Sequence, residues 1–122
     1  MSGVNLLLDT NILIYLLKGN KKIETLINNK IWHISIITEL ELHTLGQTPA
    51  TRKKVESVID SCNVINITTS IKNSVIDLRN KHKIKLPDAI IAATAKCFEI
   101  PLITADKGFS KFEEIDILLV EI

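Results

Sequence analysis

Val4-Asn5-Leu6-Leu7-Leu8-Asp9-Thr10-Asn11 is a short apolar run that stops on a carboxylate. It lacks helical periodicity and is bounded at once by polar residues, so it reads as a strand buried on both faces, as in the middle of a parallel sheet. Asp9 then stands at the strand's C-terminal end, the edge of an open α/β sheet where ligands bind. Taken alone, Asp9 or Thr10 reads first as the N-cap of a helix over 11–18. What raises Asp9 above a cap is the set of acids elsewhere in the chain.

The chain works outward from that strand as alternating strands and helices. Asn11 to Lys18 is apolar almost all round and ends at Gly19-Asn20, giving a buried helix with a glycine stop. Lys21 to Asn29 places Ile23, Leu26 and Ile27 on one face of a short amphipathic helix. Ile31 to Ile34 is a second strand, and Ser35 caps a helix over 36–45 that Gly46 closes. Thr48-Pro49 opens a helix to Asp60, with Val55, Val58 and Ile59 inward and the basic triplet Arg52, Lys53 and Lys54 on a solvated face. Asn63 to Ile67 alternates like a strand nearer the sheet edge. Thr69 or Ser70 caps a helix through Ile71, Val75, Ile76 and Leu78 to Arg79, and 80–85 is a basic connector in which His82 reads as a solvated loop residue. Pro87 and Asp88 start an Ala-rich helix that runs to Phe98. Ile100 to Thr104 is a fourth strand, a turn around Phe109 and Phe112 follows, and Ile117 to Val120 is the last strand. This alternation predicts an α/β fold with a parallel sheet and right-handed crossovers.

At 122 residues with 46% apolar content, the chain is expected to form one domain, 1–122, around a single core. Cys62 and Cys97 are far apart and show no metal-ligand spacing, so they read as buried thiols in a reducing compartment. No stretch reaches the length of a membrane span, and Met1-Ser2-Gly3 leads straight into the first strand, so a cytoplasmic protein without membrane attachment is expected. The formal charge of +1 means that any affinity for nucleic acid must come from uneven placement of charge.

Asp9, Asp88 and Asp106 lie just past strand ends or in a first helical turn, and the helix after the second strand carries Glu39 and Glu41. In a doubly wound sheet the first and fourth strands can be neighbours, which would bring Asp9 and Asp106 to one edge. Glu39 and Glu41 point roughly 200° apart on a helix, so only one can face that edge. Four converging carboxylates with no Lys or Arg among them repel one another unless a cation neutralises them. An all-oxygen set suits Mg²⁺ or Mn²⁺ and excludes a zinc-type site. Such a set fits metal-assisted phosphodiester hydrolysis. Lys81, Lys83 and Lys85, in the connector leading to Asp88, are expected to contact substrate phosphates.

Four segments then carry a resemblance: Leu7-Leu8-Asp9-Thr10-Asn11-Ile12-Leu13-Ile14, Ser35-x-x-Thr38-x-x-Glu41-Leu42, Leu86-Pro87-Asp88-Ala89-x-x-Ala92 and Leu102-Ile103-Thr104-x-Asp106-x-x-Phe109. In order and spacing they resemble the PIN domain, and more narrowly the small VapC-type ribonuclease toxins of toxin-antitoxin pairs. The resemblance implies a three-layer α/β sandwich with a central, mostly parallel sheet, dependence on Mg²⁺ or Mn²⁺, RNA as substrate, and a homodimer inhibited by a small antitoxin. It matches Asp9, Glu41, Asp88 and Asp106 to the four family acids, with Thr10, Asn11 and Thr104 assisting, and leaves Glu39 out. Gly108 departs from the pattern, since many relatives carry a further Asp there. Two other readings are a PIN-like module that binds RNA or protein without cutting, and a phosphoacceptor receiver domain. The latter lacks its acidic pair after the first strand and its acceptor Asp near Asn66-Ile67-Thr68.

Overall fold

The computed structural model describes residues 3–45 and 48–122. Gly46, the expected helix stop, lies outside the described residues. Five parallel strands form the sheet: β1 Asn5–Leu8, β2 Ile31–Ser35, β3 Asn63–Ile65, β4 Leu102–Thr104 and β5 Ile117–Leu119, in the order β3-β2-β1-β4-β5. The helices are α1 Thr10–Leu17, α2 Lys21–Ile27, α3 Ile36–His43, α4 Pro49–Asp60, α5 Thr69–Lys81 and α6 Leu86–Phe98, with a 3₁₀ turn at Lys107–Lys111. As the apolar run at Leu6-Leu7-Leu8 requires, β1 is central, paired with β2 on one side and β4 on the other.

Successive side chains of a strand point to opposite faces, and each face of the sheet has its own core. Leu7 and Leu102 pack with Ile71, Val75 and Leu78 of α5, the alanines of α6, and Phe109 and Phe112. Leu6, Leu8 and Ile103 pack with Ile12 and Leu13 of α1, Ile23 and Ile27 of α2, and Val55 and Ile59 of α4. The result is three layers, helices on both faces of a parallel sheet.

Several boundaries depart from the sequence reading for local reasons. Thr68 caps α5, its hydroxyl accepting from the Ile71 N–H at 3.1 Å, and the helix continues to Lys81. Lys81 is therefore helical and faces Asp77 one turn back, at 3.6 Å. α3 stops at His43, where the Thr44 hydroxyl donates to the Glu41 carbonyl at 2.7 Å. Leu26 and Ile76, placed by periodicity on apolar faces, are exposed. His82 is half-buried, edge-on to Phe112 with 4.8 Å between ring centroids and 3.7 Å from Glu114, which corrects its reading as a solvated loop residue. Gly19 does end α1, with a left-handed φ of 81°. Both cysteines are free and half-buried. Burial pushes the Cys62 thiol up to about 11, so it is an inert thiol that donates to the Val58 carbonyl. No helix among the described residues is long and apolar enough to cross a membrane.

Leu7 is fully buried, so Leu7→Ala removes apolar contacts and leaves a cavity in the α5/α6 layer. The expected loss is roughly 2–5 kcal/mol of unfolding free energy, read from urea denaturation with an unchanged m-value.

Candidate active site

A helix that returns the chain between parallel strands runs against them, so each helix begins or each strand ends at one common edge of the sheet. β1 lies between β2 and β4, so the segments after those two strands flank Asp9. α3, carrying Glu41, follows β2, and Asp106 follows β4. Asp88 is in the first turn of α6, whose start lies at the same edge.

Asp9 is 5% exposed, and both of its carboxylate oxygens are engaged. Oδ1 accepts from the Thr10 N–H at 2.9 Å, which makes Asp9 the N-cap of α1 as well. Oδ2 accepts from the Thr104 hydroxyl at 2.6 Å and the Asn11 amide at 3.1 Å. Asn11 in turn accepts from the Ala105 N–H at 3.2 Å, and the Thr104 hydroxyl from the Asp106 N–H at 3.0 Å. Thr10, Asn11 and Thr104 are thus the hydrogen-bonding shell of Asp9. The Thr10 hydroxyl also lies 2.6 Å from Glu41 Oε1 and 3.1 Å from the buried hydroxyl of Thr38. Glu39 instead points to His43, at 3.8 Å.

Burial pushes the Asp9 carboxyl up to about 6; the charges of Asp88 and Asp106 push the same way, against the hydrogen bonds from Thr104 and Thr10. Asp88 is also raised, first by burial and then by Asp106 and Glu41, while Lys85 and Lys111 oppose the rise. Asp9, Asp88 and Asp106 therefore lie within reach of one another's charge, and Glu41 within reach of Asp88. The expectation that no lysine stands among them is corrected by Lys85 and Lys111, which adjoin Asp88. Lys83, Lys85 and Lys111 line a recess with Asp88 and Asp106. Lys81 is not in it. Thr38 and Lys111 carried no role in the sequence reading: Thr38 served there only to set the spacing of Glu41, and Lys111 lies in a turn without a motif.

Gly108 explains itself locally. Its N–H donates to Asp106 Oδ1 at 2.8 Å, and a Cβ there would stand 3.1 Å from the same oxygen. A side chain at 108 would crowd the Asp106 carboxylate.

The donor chemistry of this edge fits a hard divalent cation: oxygen ligands only, one of them buried and fixed, with mutual repulsion that a cation relieves. Among the described residues, no three acids are gathered tightly enough to grip an ion as the side chains stand. Glu41 and Asp106 are exposed, whereas Asp9 is buried and fixed.

A sequence model of the PIN domain matches residues 6–115. The chain belongs to the PIN domain family, a family of nucleases that in general use divalent metal ions. Its fold is similar to that of a chain in a toxin-antitoxin complex from Klebsiella pneumoniae, with 32% identity and a TM-score of 0.85 over 96% of this chain and 99% of that one. VapBC-1 from nontypeable Haemophilus influenzae is similar at 25% identity and a TM-score of 0.79, covering 95% and 98% of the two chains. VapBC2 from Rickettsia felis, solved with a DNA fragment from its promoter, shares the fold at 18% identity and a TM-score of 0.80, over 97% and 100%. No curated protein sequence matches the chain.

An acid whose folded-state pKa is raised holds a proton that the unfolded chain has already lost. For Asp9 this holds between its ordinary value of 3.8 and about 6, so its contribution to stability falls as pH rises through that window. In EDTA, the stability of Asp9→Asn relative to the parent should therefore grow between pH 4 and pH 7, by on the order of 2 kcal/mol. Urea denaturation at the two pH values checks this; a pH-independent difference would mean that Asp9 titrates normally.

Proposed function

We propose that this chain is a metal-dependent endoribonuclease, the toxin of a type II toxin-antitoxin pair, that hydrolyses RNA phosphodiesters at the Asp9, Glu41, Asp88 and Asp106 edge. The observation that carries the reading is Asp9 itself, a carboxylate held by Thr104, Asn11 and Thr10 whose pKa is raised by burial first and then by the charges of Asp88 and Asp106. A cap needs only the bond to the Thr10 N–H. Burying the group among like charges is destabilising, and such perturbed acids cluster where chemistry is done.

The four carboxylates would hold Mg²⁺ or Mn²⁺, which when bound supplies Lewis acidity toward a phosphoryl oxygen and neutralises charge near the scissile bond. The protein's part is positional. Thr104 ties Asp9 to the turn that presents Asp106, since its hydroxyl donates to one and accepts from the backbone N–H of the other. Thr10 ties Glu41 to the start of α1. Glu41 is the α3 acid in this reading, because Glu39 faces His43. Water attack on phosphorus forms one P–O bond and breaks the bond to the leaving ribose oxygen, which takes up a proton. Lys83 and Lys85 would meet the phosphate backbone.

The toxin assignment is supported by the relatives, one of which is described as a toxin-antitoxin complex and two as VapBC assemblies. A small antitoxin protein as partner and a homodimer in the cytoplasm belong to the same reading.

Purified protein should cleave RNA oligonucleotides with Mg²⁺ or Mn²⁺ and stop in EDTA. Asp9→Asn and Glu41→Gln should each lower the cleavage rate by about a hundredfold or more, whereas Glu39→Gln should retain most of it. Full activity in Asp9→Asn, with contaminating nuclease excluded, overturns the reading; loss in Glu39→Gln with activity kept in Glu41→Gln moves the α3 ligand by two residues.

A further inference from the structure

Beside the acids, on the α6 side, a recess of about 240 Å³ is walled by two signs of charge. Asp88 and Asp106 line it together with Lys83, Lys85 and Lys111, beside Phe112. These lysines come from two separate segments, the α5–α6 connector and the end of the 3₁₀ turn after Asp106. None of the three is ion-paired with a carboxylate among the described residues.

Lys111 is held in place. Its ammonium donates to the Lys83 carbonyl and lies 5.4 Å from the centroid of the Phe112 ring. An ammonium has three N–H donors, so two remain after the carbonyl is served. Holding a lysine this way removes much of the ordering entropy that a solvated lysine loses on meeting a ligand. The start of α6 opens on the same recess through Lys85 and Asp88, and no side chain caps it. That end of the helix adds positive potential to that of the lysines.

Resting on the nuclease reading, we propose that this recess is a subsite for a second backbone phosphate of the RNA strand, the one adjoining the phosphodiester under attack. The acids take the scissile group and the lysines the neighbour. An RNA strand presents phosphates at regular intervals and so meets the acids and the lysines at once; a lone phosphodiester meets only one set. The substrate is thereby a chain of at least two phosphates, and Lys111 is the residue that fixes its register.

The test is binding of a short single-stranded RNA in EDTA, where no cleavage occurs, as a function of KCl. Lys111→Ala should weaken binding by about fivefold at low salt and make the slope of log K against log salt shallower by about 0.7, the value of one lost phosphate contact on a single strand. Lys111→Arg should keep the slope, and Lys81→Ala, outside the recess, should leave both quantities unchanged. Lys85→Gln gives a second reading should Lys111→Ala not fold. With Mn²⁺, a trinucleotide carrying two phosphodiesters should be cut faster than a dinucleoside monophosphate, and Lys111→Ala should slow only the former. Trinucleotides with one phosphate replaced by a neutral methylphosphonate tell whether the neighbour lies on the 5′ or the 3′ side. RNA binding and cleavage that are indifferent to Lys111 and Lys85 overturn the subsite and leave the nuclease reading standing. If the parent protein neither binds nor cuts RNA, the nuclease reading falls and the subsite falls with it.

Discussion

The buried carboxylate of Asp9 is the constraint on which the rest of this edge depends. It sits at the end of the central strand, where water is excluded by the two core layers and the charged form is disfavoured. Such a group is tolerated only when its lone pairs are met, and here the donors come from both sides of the strand end. Thr10 and Asn11 belong to the helix that follows, Thr104 to the neighbouring strand ninety-five residues away in sequence. One hydrogen-bonded acid therefore couples the first and fourth strands where chain connectivity does not.

Sheet order does the remaining positioning. With β2 and β4 on either side of β1, whatever follows those strands must flank Asp9, and the sequence puts an acid after each. The same geometry places the start of α6 nearby, and with it Asp88 and the lysines that precede it. Charge is then divided across the site: acids act on both Asp9 and Asp88, and lysines oppose them only at Asp88. A neutral chain acquires local polarity in this way, which its formal charge of +1 conceals.

Much of the fold was legible in the sequence because its signals are local. The unbroken Leu6-Leu7-Leu8 run marks a doubly buried strand, Gly19 a left-handed stop, and Thr48-Pro49 a helix start; all three stand in the structure. The acids were legible as residues at strand ends, and the PIN resemblance ordered them. What failed were features set by tertiary contact. Arg79 looked like the end of α5, but the helix runs on to Lys81, and the His82 that follows it packs on Phe112. His82 looked solvated because its partners, Phe112 and Glu114, lie some thirty residues on. Lys111 carried no signal, since its tether is the carbonyl of Lys83 and a backbone oxygen leaves no trace in a side-chain pattern.

The two acids of α3 have different hydrogen-bond partners, which periodicity alone does not reveal. Helical spacing says only that Glu39 and Glu41 face different ways. The Thr10 hydroxyl lies 2.6 Å from Glu41 and 3.1 Å from the Thr38 hydroxyl. It has one proton to give. The shorter contact, to Glu41, takes that proton, and the contact with Thr38 is then donated by Thr38. Thr38 is fully buried one turn before Glu41 on the helix, so its hydroxyl is shielded from water that would compete for that proton. The direction of the relay, from Thr38 to Thr10 to Glu41, follows from donor counting and these two distances. It ties the start of α1 to α3 through Glu41, while Glu39 is left to His43.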